Sequence, residues 1–146
     1  MNVFVEGNIG AGKTTIISLV EKQLKDVIGK DIQVYPEPIA DWEQTPEGNL
    51  LDLFRLNPSK YGFVLQTLIM TTLLKHRQFV SVDTVNLFER SLDSAKLVFQ
   101  KILESERALS PIHTYVLNQL FETMKPIAPT IHGIIYMKVS FTNEYD

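Results

Sequence analysis

A glycine-rich segment, residues 7–14, constrains this chain more than any other feature of its sequence. It reads Gly-Asn-Ile-Gly-Ala-Gly-Lys-Thr and matches the pattern GxxxxGK(S/T) in full. The apolar run 3–5 before it predicts a buried strand, and apolar residues at helical spacing over 14–28 predict a helix after it. In that setting backbone N–H groups surround phosphates, Lys13 reaches the β- and γ-phosphates, and the Thr14 hydroxyl binds Mg²⁺. The segment therefore predicts a nucleoside triphosphate site.

The rest of the chain alternates between predicted strands and predicted helices. Apolar runs bounded by turn residues predict strands at 32–35, 85–88 and 134–139. Helical spacing predicts helices at 50–56, from Ser59 to about 79, at 92–103 and, capped by Ser110, at 112–124, with a polar loop at 41–48. This alternation predicts an α/β fold with a parallel sheet and helices on both faces, in a single domain over 1–146. Because the carboxyl ends of parallel strands share one edge, we expect the chemistry to follow the first three strands.

Composition excludes several classes of protein. Cysteine is absent, which excludes a disulfide framework, a zinc-thiolate site and a thiol nucleophile. The 17 acidic and 14 basic residues give a net charge of −3, which argues against nucleic acid as the main partner. The apolar runs are far too short to span a membrane, and the first residues do not resemble a signal peptide. We therefore expect a cytoplasmic protein without a membrane or nucleic-acid partner, and leave organellar import open.

Charged residues follow the second and third predicted strands. Glu37 lies between Pro36 and Pro38, which restrict the backbone and thereby the direction of the carboxylate. It could accept the proton of an attacking hydroxyl, and the alternative is a solvated loop glutamate. After the third strand, Glu89 is a candidate Mg²⁺ ligand and Arg90 a candidate for stabilising developing charge, with a surface ion pair as the alternative.

Gln66 is a polar residue on an otherwise apolar predicted helix. A buried amide without partners costs on the order of 1–3 kcal/mol, so this side chain requires a hydrogen-bonding role. Its acceptor and two donors match the edge of a nucleobase, and a bond to backbone or water is an equally open alternative. Trp42 and Phe99 could stack on the base or could belong to the core.

Motifs of other nucleotide-binding classes are absent from the sequence. A switch GTPase would carry DxxG and NKxD, and neither occurs. An ABC-type or helicase ATPase would end an apolar strand in an acidic pair, whereas residues 88–91 read Phe-Glu-Arg-Ser. The dinucleotide pattern GxGxxG also fails, because Lys, Thr and Thr follow Gly10-Ala11-Gly12.

Taken in order, these motifs resemble the deoxyribonucleoside kinases, the group with deoxycytidine, deoxyguanosine and mitochondrial thymidine kinases. The resemblance rests on residues 5–15, Glu37-Pro38 with Trp42, Asn49-Leu50-Leu51, Gln66, and Glu89-Arg90-Ser91 with Ser94, Ala95 and Phe99. Ile134-Ile135-Tyr136 looks like the fourth strand of the family, so the resemblance extends over nearly the whole chain.

The resemblance implies a P-loop kinase fold, a homodimer formed through helices, and Mg²⁺- and ATP-dependent phosphorylation of a deoxyribonucleoside 5′-hydroxyl in nucleotide salvage. It implies that Glu37 is the base, with Arg90 and Lys13 as further catalytic residues, and that Thr14 and Glu89 serve the metal. The implied ATP contacts are Gly7, Asn8, Ile9, Gly10, Ala11, Gly12, Lys13, Thr14 and Thr15. The implied nucleoside contacts are Glu37, Trp42, Arg55, Gln66, Arg90, Ala95 and Phe99.

The sequence departs from the family pattern in three places. The family continues past its fourth strand into an arginine-rich lid, a further helix and a fifth strand, so a chain of 146 residues is expected to lack the lid. Arg55 stands where the family commonly has a tyrosine that reaches the 3′-hydroxyl, and Asp93 replaces a usual aromatic residue. Two alternatives therefore stay open. One is a degenerate nucleotide-binding homologue with little turnover, since a phosphate-clamping arginine can be worth about 10³-fold or more. The other is a nucleoside monophosphate kinase, in which Arg55 or Arg77 would bind the acceptor phosphate.

Overall fold

The computed structural model describes residues 1–29, 31–77 and 80–139. The chain divides into two units that are described separately below. The first, called the sheet unit, comprises Met1–Pro36, Ser81–Arg90 and the described residues from Ile131 onward. The second, called the helical unit, comprises the described residues of Glu37–Val80 and Ser91–Thr130.

The sheet unit is built on parallel strands, which among the described residues number four and follow the order β2-β3-β1-β4. They are β1 (Asn2–Gly7), β2 (Ile32–Tyr35), β3 (Val85–Glu89) and β4 (Gly133–Met137). Every residue of β3 is buried, and Phe88 stacks on Phe4 and on Tyr35 with ring centroids 4.6 Å apart in each pair. Helix α1 (Lys13–Ile28) joins β1 to β2 and packs against β1, β2 and β3. The predicted strands and the first predicted helix are therefore present, with ends within two residues of the prediction.

The register of the sheet places the ends of three strands side by side. Val5 of β1 lies opposite Glu89 of β3 and Ile135 of β4. Gly7, the last residue of β1, lies opposite Met137. The loop that follows β1 therefore begins next to the carboxyl end of β3, as expected for a parallel α/β sheet.

In the helical unit the other helices are arranged around one long helix, α4 (Pro58–Lys75). The other helices are α2 (Ile39–Glu43), α3 (Leu50–Leu56), α5 (Leu92–Ser94), α6 (Lys101–Ser105) and α7 (Pro111–Met124). A π-helical segment, Ala95–Gln100, joins α5 to α6, and a 3₁₀ turn, Lys125–Ile127, follows α7. Buried side chains from α4 to α7 form the main core, including Met70, Leu73, Leu92, Leu103 and Leu117. Trp42, Leu50 and Leu65 form a second cluster.

Four predicted boundaries in the helical unit are wrong. The predicted polar loop at 41–48 contains the end of α2, because buried Trp42 anchors a turn that begins after Pro38. The cap of α4 is Asn57, not Ser59, since the Asn57 side chain accepts from the Lys60 N–H at 3.1 Å. Helix α4 ends at Lys75 instead of near 79, and residues 78 and 79 lie outside the described part. The helix predicted at 92–103 continues to Ser105 and contains the π-helical segment.

The predicted fold class is confirmed, because parallel strands alternate with helices and a glycine-rich loop links β1 to α1. The predicted cap at Ser110 is confirmed too, with Pro111 in the first turn of α7. In the described ranges, no helix combines the length and the apolar character that a membrane crossing requires.

Candidate functional site

The glycines between β1 and α1 adopt backbone angles that other residues rarely do. Gly7, Gly10 and Gly12 have φ values of 151°, 77° and 79°. A Cβ added to Gly7 would also lie 2.6 Å from the carbonyl oxygen of Met137, so the close approach of β4 requires glycine there. The first turn of α1 carries no acidic residue, so its own side chains do not neutralise the positive end of the helix. The loop therefore has the backbone geometry of a phosphate cradle.

The Lys13 ammonium is held inside this loop. Lys13 is only 5% exposed. Its Nζ donates to the carbonyl oxygens of Asn8 at 2.8 Å and Gly7 at 3.3 Å. The loop is closed further by the Ala11 N–H, which donates to Asn8 O at 3.2 Å. A positive charge is thus fixed beside the glycine-rich loop, and the predicted contact of Lys13 with phosphates stays a prediction.

Thr14 and Glu89 meet at the carboxyl ends of β1 and β3. The Thr14 hydroxyl lies 2.9 Å from Oε1 and 3.0 Å from Oε2 of the Glu89 carboxylate, to which it donates. Glu89 is only 4% exposed. A hydroxyl and a carboxylate are hard oxygen ligands, and Mg²⁺ in nucleotide sites takes one or two protein oxygens together with phosphates. This donor set fits Mg²⁺.

Arg90 has an unusual backbone conformation next to this pair. Its φ is 66°, in the left-handed region that costs on the order of 1–3 kcal/mol for a residue with a side chain. Its N–H donates to Val5 O at 3.1 Å, and its Nη1 donates to Gly7 O at 3.2 Å. The guanidinium therefore contacts the first residue of the glycine-rich segment, which the sequence could not reveal.

Gln66 is 1% exposed in the helical unit. Its Nε2 donates to the carbonyl oxygen of Ala95 at 2.5 Å, so the backbone partner that the sequence left open is present. Ala95 is also buried and begins the π-helical segment, and Phe99 of that segment is half-buried. The amide group of Gln66 therefore has a fixed orientation.

Glu37 and Trp42 lie at the start of the helical unit. Glu37 is half-buried, and its carbonyl oxygen accepts from the Ile39 N–H at 2.9 Å, which forms a tight turn ahead of α2. Trp42 is buried, and its Nε1 donates to Thr72 Oγ1 at 2.9 Å. Since Trp42 packs with Leu50 and Leu65, it is a core residue of this unit.

The sequence profile of the deoxynucleoside kinase family matches residues 3–145. The chain belongs to the deoxynucleoside kinase family.

Three relatives illustrate how far the similarity extends. Thymidine kinase 2, mitochondrial, of Macaca fascicularis is 30% identical over 139 residues, which cover 94% of this chain and 50% of the relative. Deoxycytidine kinase 2 of Gallus gallus is 27% identical over 168 residues, covering 94% and 60%. Deoxycytidine kinase of Homo sapiens is 25% identical over 169 residues, covering 94% and 61%. The chain thus spans half to about three fifths of the length of these relatives.

The remaining predicted site residues of the chain are solvent-exposed, except Ala11, which is buried. Most of the predicted ATP contacts are open to solvent and therefore accessible to a ligand: Asn8, Ile9, Gly10, Gly12 and Thr15. The Arg55 side chain is 69% exposed and forms an ion pair with Asp52 at 2.6 Å. Of the predicted nucleoside contacts, Arg55 is therefore the one whose exposure and ion pair give the least reason to expect contact with a nucleoside.

A polar cluster around the buried Gln100 in the helical unit was not predicted from the sequence. It contains Gln100, Asn118, Lys96 and Glu104, which are linked by hydrogen bonds. Burial lowers the pKa of Lys96, and a hydrogen bond from Lys101 lowers the pKa of Glu104. Gln100 interrupts an apolar stretch just as Gln66 does, and that signal was available in the sequence.

Proposed function

We propose that this chain transfers the γ-phosphoryl group of ATP to the 5′-hydroxyl of a deoxyribonucleoside. The observation that carries the proposal is the contact between Thr14 and Glu89 at the end of a glycine-rich loop that also holds the Lys13 ammonium. Cation, hydroxyl and buried carboxylate are the groups that position a nucleoside triphosphate for phosphoryl transfer.

We assign the donor side of the reaction to the sheet unit. Residues 7–15 bind the phosphates of ATP, and Lys13 balances the charge of the β- and γ-phosphates. Thr14 and Glu89 hold Mg²⁺, which when bound neutralises charge on the phosphate oxygens. Arg90, anchored on Gly7 O at 3.2 Å, stabilises charge that develops during transfer.

We assign the acceptor side to residues of the helical unit. Gln66 reads the nucleobase with its amide, supported by its burial and its fixed orientation against Ala95 O. Trp42, Ala95 and Phe99 shape the surroundings of the base. Glu37 accepts the proton of the 5′-hydroxyl as it attacks, a role that the turn at Ile39 supports by restricting the backbone.

The names of the relatives support a deoxynucleoside as the acceptor. They include a thymidine kinase and deoxycytidine kinases, each matched over 94% of this chain. The names differ in their base, so we propose the deoxynucleoside class and leave the base to experiment.

We also propose that two copies of the chain associate through helices of the helical unit. Large apolar side chains are exposed there, including Leu97 at 63%, Ile112 at 63% and Tyr115 at 59%. Exposed apolar groups on neighbouring helices favour association because burying them removes apolar surface from water. Sedimentation equilibrium tests this: a dimer is expected, and Ile112→Glu should shift it towards monomer, whereas a monomeric parent protein would contradict the proposal.

A coupled ATP assay with the four deoxynucleosides tests the proposed activity. We expect ADP formation that depends on both Mg²⁺ and a deoxynucleoside, with the 5′-monophosphate as product. ATP binding without turnover would instead identify a nucleotide-binding homologue. Turnover with deoxynucleoside monophosphates alone would identify a monophosphate kinase and make Arg55 and Arg77 the residues to substitute next.

A further inference from the structure

Gln100 lies at the end of the π-helical segment and is completely buried, with 0% exposure. Its Nε2 donates to Glu104 Oε1 at 2.8 Å and to Asn118 Oδ1 at 2.9 Å. Because both partners are acceptors, they determine which end of the amide is nitrogen. Its Oε1 is then buried without a hydrogen-bond partner among the residues that the structure describes.

This arrangement is unfavourable for stability. A buried acceptor without a partner loses its hydration and gains no bond in return. A π-helical turn contains one residue more than an α-helical turn needs, and such turns are frequently found at functional sites. Both features occur in one short segment, which indicates that the segment is kept in this conformation for a reason other than stability.

The same segment orients Gln66. It begins at Ala95, whose carbonyl oxygen accepts from Gln66 Nε2 at 2.5 Å. The extra residue of the π-helical turn changes the rotation of the backbone, and therefore changes where the Ala95 carbonyl points compared with a regular α-helix. Fixing the far end of the segment thus fixes the partner of the Gln66 amide.

Asn118 of α7 is the second anchor of the segment. Its Oδ1 accepts from Gln100 Nε2 at 2.9 Å and also from the Lys96 ammonium. Lys96 is held further by the ring of Phe121, whose centroid lies 5.8 Å from Nζ. One oxygen atom on α7 therefore binds two side chains of the π-helical segment, near its beginning and at its end.

We propose that Gln100 and Asn118 are positioning residues for nucleobase selection. They hold the π-helical segment so that the Ala95 carbonyl fixes the amide of Gln66, which presents its oxygen and its second N–H to a base with one donor and one acceptor. This inference rests on the proposed function, because it assigns a selective role to Gln66.

Gln100→Met is the decisive variant, because each partner residue of Gln100 keeps another hydrogen-bond donor, Glu104 at its Oε2 and Asn118 at its Oδ1. Glu104 still accepts from Lys101 Nζ at 2.7 Å, and Asn118 still accepts from Lys96. The variant also removes the unpaired oxygen, so its free energy of unfolding should equal or exceed that of the parent protein. We nevertheless expect the affinity for the preferred deoxynucleoside to fall about tenfold to a hundredfold, with the affinity for ATP unchanged.

Substitutions at Asn118 complete the test. Asn118→Leu should lower the affinity for the preferred deoxynucleoside in the same way. Asn118→Asp should retain that affinity, because an acceptor oxygen remains at this position. Gln119→Leu, at the exposed neighbouring position, is the control and should behave like the parent protein. In ¹H–¹⁵N spectra the side-chain amide signals of Gln66 should move in Gln100→Met and Asn118→Leu but not in the control.

The outcomes separate the two proposals. If the parent protein binds no deoxynucleoside, the proposed function fails and the selective role fails with it. If the parent protein discriminates among the four deoxynucleosides and Gln100→Met discriminates equally well, the positioning role alone is overturned. Unchanged Gln66 amide signals would overturn it as well, whatever the protein binds.

Discussion

The Thr14 hydroxyl donates to the Glu89 carboxylate, with both carboxylate oxygens within 3.0 Å, although the two residues are 75 positions apart in the chain. This contact joins the first turn of α1 to the end of β3 inside the sheet unit. Both side chains offer oxygen atoms of the kind that Mg²⁺ binds, and the hydrogen bond fixes the orientation of each against the other. The pair therefore gives the most direct test of the proposed metal site.

Glu89→Gln should weaken the dependence of the reaction on Mg²⁺. The amide keeps the size of the side chain but loses the negative charge that favours the cation. We expect the Mg²⁺ concentration for half-maximal activity to rise about tenfold to a hundredfold. Titrations of activity with Mg²⁺ measure this, with Glu6→Gln at the end of β1 as the control. An unchanged Mg²⁺ requirement would exclude Glu89 from the metal site.

Glu37→Gln should abolish most of the turnover and leave ATP binding intact. Removing a general base costs about 10²- to 10⁴-fold in rate. Measuring the catalytic rate alongside the dissociation constant for ATP separates chemistry from binding. Glu43→Gln, on an exposed position of α2, is the matched control. If Glu37→Gln retains full activity, another group accepts the proton.

Gly7→Ala should destabilise the sheet unit. The residue has a φ of 151°, and the added Cβ would lie 2.6 Å from Met137 O, so the backbone of β1 or β4 must shift. We expect a loss of about 1–3 kcal/mol in the free energy of unfolding, measured by urea denaturation. Gly133→Ala is the control, because its nearest neighbour would be Val3 Cγ2 at 3.9 Å. Equal stabilities of the two variants would contradict the strain at Gly7.

Glu104 should make the stability of the protein depend on pH in the acid range. Hydrogen bonding from Lys101 lowers the pKa of Glu104 from its ordinary value of 4.5, so the unfolded chain binds the proton more readily than the folded one. The contribution is fully present above pH 4.5 and is lost as the pH falls through the lower folded pKa. Glu104→Gln should therefore flatten the acid limb of a plot of unfolding free energy against pH.

The exposed Glu106→Gln serves as the control for this experiment. For Glu106→Gln, the fall of the unfolding free energy at acid pH should match that of the parent protein. Parallel acid limbs for Glu104→Gln and the parent protein would show that the bond between Glu104 and Lys101 contributes nothing to folding.

Features that depend on neighbouring residues were predictable from the sequence. The glycine-rich loop, the strands and helix α1 follow from local patterns, because backbone preference and apolar spacing act over a few residues. The cap at Ser110 was recognised for the same reason, whereas the cap at Asn57 was assigned to Ser59 because two polar residues flank Pro58. The family also followed from the order of its motifs.

The roles of buried polar side chains could not be derived in that way. Gln66 was identified as unusual from its apolar neighbours, but its bond to Ala95 spans 29 positions. The left-handed backbone of Arg90 depends on contacts with Val5 and Gly7, which no local pattern encodes.

The sequence by itself determined the glycine-rich loop, the alternation of strands and helices, and the membership of the deoxynucleoside kinase family. Tertiary structure alone decided that Thr14 meets Glu89, that Arg90 anchors on Gly7, and that Asn118 holds the π-helical segment at Gln100. The physical reason is that a hydrogen bond between distant residues depends on how whole elements pack, whereas a turn or a helix is favoured by the residues within it.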